Sequence, residues 1–185
     1  MRVIGIDPGS LSCGYGIVER SGNTLRVVES GAIRPKRSLP VSERLSEISA
    51  GISLKIRTFS PSCMSIEKVF MAKNSKSAIH LGQARGTALA AAGSASIEAH
   101  EYSSTGVKKS VTGNGRATKD EVKKMVSIMT GKREFASPDE SDAIAVAICH
   151  INNADAAEKI PGFSAGRRQR RRFSPDDFPA ERKGC

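Results

Sequence analysis

A nearly continuous apolar run, Arg2 to Ile6, ends at Asp7 and is followed at once by Pro8-Gly9-Ser10. A run this short and apolar reads as a buried strand, and the Pro-Gly pair as the turn that ends it. A buried strand commits the chain to a sheet covered by other elements. The segments that follow say what kind of sheet. Cys13 to Glu19 and Leu25 to Ile33 read as two more strands, joined by the turn Ser21-Gly22-Asn23, and links this short favour an antiparallel meander. The pattern then changes period. Pro40 to Phe59 places Leu45, Ile48, Ile52 and Ile56 at helical spacing. Ser62 to Val69 returns to a strand, Ser75 to Ala92 to a helix, and Ile97 to Tyr102 to a fifth strand. Helices are expected over Ser104–Val111, Thr118–Thr130 and Ser137–His150, the first two separated by the breaker Thr112-Gly113-Asn114-Gly115. Antiparallel strands followed by alternating helices and strands predict an α/β domain: a mixed sheet flanked by helices.

One of these helices is unusual. Ala78, Gly82, Gly86 and Ala90 fall four apart, so one face of Ser75–Ala92 is nearly bare backbone. Glycine costs helix stability, and the expected compensation is close approach of another element, either the sheet or a second copy of this helix.

The length of 185 residues suits one such domain. From Asp155 the composition turns basic and poor in residues to bury, and includes Arg167-Arg168-Gln169-Arg170-Arg171-Arg172. The expected organisation is a folded domain over 1–154 and a basic tail over 155–185, disordered in isolation. The net charge of +10 points to a polyanionic partner, either nucleic acid or an anionic surface. Cys13, Cys63, Cys149 and Cys185 form no CxxC, and no His stands at zinc-ligand spacing from any of them. The N-terminus lacks the apolar run of a signal peptide, and no stretch is apolar for long enough to span a membrane. Reduced thiols in the cytoplasm are the expectation. His80, His100 and His150 are scattered and receive no role.

The carboxylates carry the chemistry. Asp7 ends an apolar strand, where turn formation alone would account for it. Glu67 ends the strand-like run Met64-Ser65-Ile66, where one Glu is commonly a solvated edge. If the strand holding Ile66 lies parallel to the one holding Ile6, both acids emerge at one sheet edge, at the carboxyl ends where α/β sheets place ligands. Ser137-Pro138-Asp139-Glu140 has the form of a helix start, with Ser137 as cap and Glu140 closing a capping box. Asp139 and Asp142 then share a helix face. Ala143 to Ile148 is apolar all round, so this helix is buried. An Asp142 beside that run needs a cation, and a metal would supply one. Carboxylates that converge from separate segments suit Mg²⁺, and a pair of such ions suits phosphodiester hydrolysis.

Basic residues gather near these acids: Lys68, Lys73, Lys76, Arg85, Lys108, Lys109, Arg116, Lys119, Lys123 and Lys124. Each is commonly a solvated surface residue; as a group they offer phosphate contacts. Phe70, in a loop-like segment, either stacks on an unpaired base or folds back into the core.

The segments Gly5-Ile6-Asp7-Pro8-Gly9-Ser10, Glu67 through Asn74 (EKVFMAKN), Leu81 through Gly86 (LGQARG) and Asp139 through Ala145 (DESDAIA) resemble, in order, the RuvC family of Holliday-junction resolvases. The resemblance runs from about Arg2 to Asn152. It implies an RNase H-like fold with a five-stranded mixed sheet. It implies Asp7, Glu67, Asp139 and Asp142 as catalytic metal ligands for two Mg²⁺ ions per site, with Mn²⁺ as a substitute. Phe70 matches the aromatic that engages bases at the crossover. Lys108 and Lys119 match basic residues that assist at the scissile phosphate, Lys119 being placed with the catalytic set. The implied partners are four-way junction DNA, a second copy of the chain and a branch-migration motor complex. Residues 112–117 match only loosely, and the tail lies outside the pattern.

Three other readings compete. An actin-like or sugar-kinase ATPase also opens with a strand, an Asp and a Gly-rich turn, but needs two lobes and a second phosphate motif. A junction-binding protein without catalysis would not need four acids. An RNase H-like nuclease acting on RNA would share the fold but not the FMAKN and LGQARG stretches.

Overall fold

The computed structural model describes residues 1–68 and 75–159. The elements run β1 (Arg2–Asp7), β2 (Cys13–Ser21), β3 (Thr24–Ile33), α1 (Val41–Phe59), β4 (Cys63–Glu67), α2 (Ser75–Ser94), β5 (Glu98–Tyr102), α3 (Ser104–Thr112), α4 (Lys119–Thr130) and α5 (Pro138–Lys159). The five strands form one mixed sheet in the order β3-β2-β1-β4-β5. The meander pairs are antiparallel, whereas β4 runs parallel to both β1 and β5. The expected fold class and all five strands are therefore observed.

Period-two alternation divides β1 between two cores. Ile4 and Ile6 face α1 and α2, packing with Ile48, Ile52, Ile56, Ala88 and Ala91. Val3 faces the other side, packing with Val107 and Val111 of α3, Val122 and Val126 of α4, and α5. Gly5 and Asp7 share the Val3 face. The sheet is thus covered on both sides, which explains why β1 reads as a continuous apolar run rather than an alternating one. Helix α5 is buried between the sheet and α3–α4: Ala143 through Cys149 and Ile151 are each at most 1% exposed. Its all-round apolar character follows from having no solvent face over this stretch.

Three local starts behave as their residues dictate. Thr118 and Glu121 form a full capping box at α4. Ser103 caps α3 by accepting from the Gly106 N–H. Ser137 accepts from the Glu140 N–H at 3.3 Å. The capping box expected at α5 is only half formed, because the Glu140 side chain turns elsewhere. It accepts from Ser30 Oγ at 2.6 Å, the Ala136 N–H at 2.5 Å and Lys132 Nζ at 3.2 Å.

One expectation needs correction, and one of two alternatives is excluded. Helix α5 continues past His150 to Lys159, where sequence pattern had ended it, and Asp155 pairs with Arg20 of β2. Buried residues as far as Ile151 and this ion pair hold the extra turns. The small-residue face of α2 does not lie against the sheet: Gly82, Gly86 and Ala90 are exposed, and a Cβ on either glycine would meet nothing within 4 Å. The buried face of α2 is instead Ala84, Ala88, Ala91 and Ala92. Among the described residues, no helix is long and apolar enough to cross a membrane.

Candidate active site

Parallel pairing of β1 with β4 sets Ile6 opposite Ile66, so Asp7 and Glu67 leave the sheet side by side. Both lie on the α5 face. The start of α5 supplies the remaining acids from above. Asp7, Glu67 and Asp142 line one cavity of about 290 Å³ together with Ser104, Lys108 and Lys119. Asp139 lies close enough to raise the Asp7 pKa.

Glycine makes this approach possible. A Cβ on Gly14 would lie 2.1 Å from the Asp139 carbonyl oxygen, and one on Gly5 would lie 2.0 Å from that of Ala143. Any side chain at these two positions would push the start of α5 away from the sheet, and the acids apart.

Three of the four carboxylates have a hydrogen-bond partner within the chain. Ser12 Oγ donates to Asp139 Oδ2 at 2.5 Å, and Ser104 Oγ donates to Glu67 Oε1. Lys119 Nζ donates to Asp142 Oδ2 at 2.8 Å. The cation expected beside Asp142 is thus supplied by the protein itself. That ion pair is solvated on the lysine side, where the side chain is 77% exposed, so it is weak and readily opened. The hydrogen bond from Lys119 to Asp142, and the charge of Asp142, raise the Lys119 pKa. Asp7 is the most perturbed of the acids. Burial, then the charges of Asp142, Glu67 and Asp139, push its pKa up to about 7, against a pull down from Lys119. Crowded carboxylates of this kind favour a bound cation, and an all-oxygen donor set fits a hard divalent ion.

The other predicted residues are dispersed. Lys108 lines the cavity of the acids. Lys109 lines the adjoining groove with Lys68, Ser103, Ser110, Asn152 and Asn153. Arg116 is exposed beyond the end of α3. Arg85 is not brought to the cavity, and its guanidinium pairs with Glu101. Phe70 and Lys73 lie outside the described residues, and of Lys76 only the backbone, within α2, is described. Sequence reasoning missed Ser12 and Ser104. The only signal for either was position: Ser12 follows the turn after β1, and Ser104 opens the helix after β5.

A five-stranded sheet of this order, with acids at the ends of its first and fourth strands and on a buried helix, is the arrangement of the RNase H-like nucleases. The model of the family "Crossover junction endodeoxyribonuclease RuvC" matches residues 3–150. A Geobacter sulfurreducens protein of that name is 46% identical over 154 residues, 83% of this chain and 94% of the relative. One from Geobacter sp. strain M21 is 43% identical over 162 residues, 88% and 99% of the two chains. Among solved structures, Thermus thermophilus RuvC in complex with a Holliday junction substrate superposes with a TM-score of 0.79 at 30% identity, covering 85% of this chain and 96% of that one. The yeast mitochondrial Holliday junction resolvase Ydc2 shares the fold, with a TM-score of 0.57 at 12% identity. The chain belongs to the RuvC family of crossover junction endodeoxyribonucleases. Membership implies dependence on a divalent metal, with which the donor chemistry above agrees.

Proposed function

We propose that this protein cuts four-way DNA junctions with paired, symmetric nicks, as a Mg²⁺-dependent endodeoxyribonuclease of homologous recombination and DNA repair. The observation that carries this reading is the Ile6–Ile66 register, which gathers Asp7 and Glu67 under Asp142 in a cavity flanked by lysines. In this reading Asp7, Glu67, Asp139 and Asp142 would hold two Mg²⁺ ions, or Mn²⁺ in their place, and the metal would supply Lewis acidity for phosphodiester hydrolysis. Ser12 and Ser104 orient two of the acids. Lys119, exposed beside Asp142, stands where it can meet the scissile phosphate, and Lys108 borders the same space. Lys109, Lys68 and Arg116 extend the basic surface along the approaching strand, with Lys73, Lys76 and Phe70 beside Glu67 in sequence. Arg85 would contribute only by exchanging Glu101 for phosphate.

The same reading makes the protein a cytoplasmic homodimer, because a two-fold substrate calls for two sites related by a two-fold axis. It pairs the dimer with a branch-migration motor complex. The nuclease domain includes α5 to Lys159, past the boundary expected at 154, and the arginine-rich residues that follow add nonspecific DNA affinity.

Cleavage of a labelled synthetic junction in Mg²⁺, beside linear duplex and an RNA–DNA hybrid, tests the proposal. Wild type should nick the junction in pairs. Asp142→Asn should bind it but cut it roughly 100-fold more slowly or worse. Binding without cutting by wild type would point to a junction-binding protein, and preference for the hybrid to a different RNase H-like activity.

A further inference from the structure

Three residues that sequence spacing left unconnected meet in the fold. Cys63 opens β4, His100 lies at the centre of β5, and His150 is on α5. All three face the interface between the sheet and α5, where one potential ligand atom from each lies within 4.8 Å of the other two. Among the described residues this is the one set of three His, Cys, Asp or Glu side chains so closely grouped. The acids of the nuclease cavity stand further apart. Cys63 and His150 are 7% and 6% exposed. The His100 side chain is 32% exposed and opens the group to solvent.

We propose that Cys63, His100 and His150 form a second metal site, for Zn²⁺, separate from the nuclease cavity. One thiolate and two imidazoles are soft and borderline donors, which select zinc over magnesium. Glu98 neighbours the group, with Oε2 4.0 Å from His100 Nε2, and it or a water completes four-coordination. The surroundings prepare the ligands. Burial, and then the neighbouring His100, push the His150 pKa down to about 4, so its imidazole is neutral at pH 7. His150 Nδ1 lies 2.8 Å from Tyr102 Oη. With Nδ1–H donating to that oxygen, the Nε2 lone pair is free for the metal, a support commonly found behind ligating histidines. Burial keeps Tyr102 protonated by pushing its pKa up to about 12. Burial raises the Cys63 thiol and opposes its ionisation, so zinc must displace that proton to solvent, one per ion. The two imidazole rings stack with centroids 4.2 Å apart and planes 28° apart, so a side-chain rotation is needed for both to bind one ion. The ion would tie β4, β5 and α5 together four residues upstream of Glu67, bracing the strand that carries that carboxylate.

The test uses the full chain, stripped of metal by a chelator and kept reduced, in excess Mg²⁺ so that the carboxylates are satisfied. Titration with Co²⁺ should give a sulfur-to-cobalt charge-transfer band and tetrahedral d–d bands that saturate at one ion per chain and vanish on adding Zn²⁺. Cys63→Ser should abolish the band, whereas Cys149→Ser and Cys185→Ser should keep it. Tyr102→Phe should weaken binding about 10–100-fold. X-ray absorption of the zinc-loaded wild type, which needs no variant to fold, should show one sulfur with nitrogen and oxygen neighbours. Absence of the band from wild type, its survival in Cys63→Ser, or a sulfur-free zinc shell would overturn the proposal. Nicking of junctions is read separately and has no bearing on these outcomes.

Discussion

Asp7 carries its carboxyl between the sheet and α5, where burial and three neighbouring carboxylates push its pKa up to about 7 from an ordinary 3.8. Between those values the folded, metal-free protein holds a proton that the unfolded chain has already lost. Stability therefore falls as pH rises through this window and levels off above about 7. His150 works in the opposite direction over an overlapping range. Its folded pKa is lowered to about 4 from 6.5, so its contribution is present above the unfolded value and is lost as pH falls. Asp7→Asn removes only the first effect. In EDTA, the Tm of Asp7→Asn should exceed that of wild type by an amount that grows from about pH 4 to about pH 7 and is then constant. A difference independent of pH would mean that Asp7 titrates normally. Glu140 is the second residue of consequence. It is 2% exposed. Burial would raise its carboxyl, but hydrogen bonds from Ser30, the Ala136 N–H and Lys132 outweigh that and hold it below the usual range. Glu140→Ala strands these partners and should cost about 3–5 kcal/mol in urea unfolding.

At the scale of elements, the site depends on how closely α5 approaches β1 and β2. That distance is set where backbone meets backbone, at Gly5 beside Ala143 and Ala147 and at Gly14 beside Asp139. Gly5→Ala inserts a methyl group where no room exists. It should destabilise the protein by about 1–3 kcal/mol, measured by denaturant unfolding. It should also slow junction cutting under conditions where the variant is fully folded, because Asp142 moves relative to Asp7. Unchanged cutting would show that the acids tolerate displacement of the helix. Most elements were legible from periodicity because their signals are local: Ile48, Ile52 and Ile56 mark the inner face of α1 whatever it packs on. The end of α5 was not legible. What carries the helix to Lys159 includes a contact from Asp155 to Arg20, remote in sequence.

At the scale of the whole molecule, the exposed Gly82, Gly86 and Ala90 leave α2 with a face that no other described residue covers. In the proposed homodimer this face would receive its counterpart at close range. Gly82→Leu projects into open space in the monomer, so folding should be unaffected. Sedimentation should shift towards monomer, and the two nicks in a junction should become uncoupled. An unchanged sedimentation coefficient would remove α2 from the interface.

By itself the sequence determined the element order, Ser137 as the cap of α5 and the two strand-end acids. Together with the resemblance it also determined the family. All of these rest on residues a few positions apart, or on motifs kept in order. Tertiary structure alone decided the partners of the acids. Lys119 reaches Asp142, Ser12 reaches Asp139, and Ser104 reaches Glu67 across separations that no periodicity encodes. It also brought Cys63, His100 and His150 together. Sequence spacing found no metal pattern among them, because the sheet register and the α5 packing, not chain proximity, bring their side chains to one point.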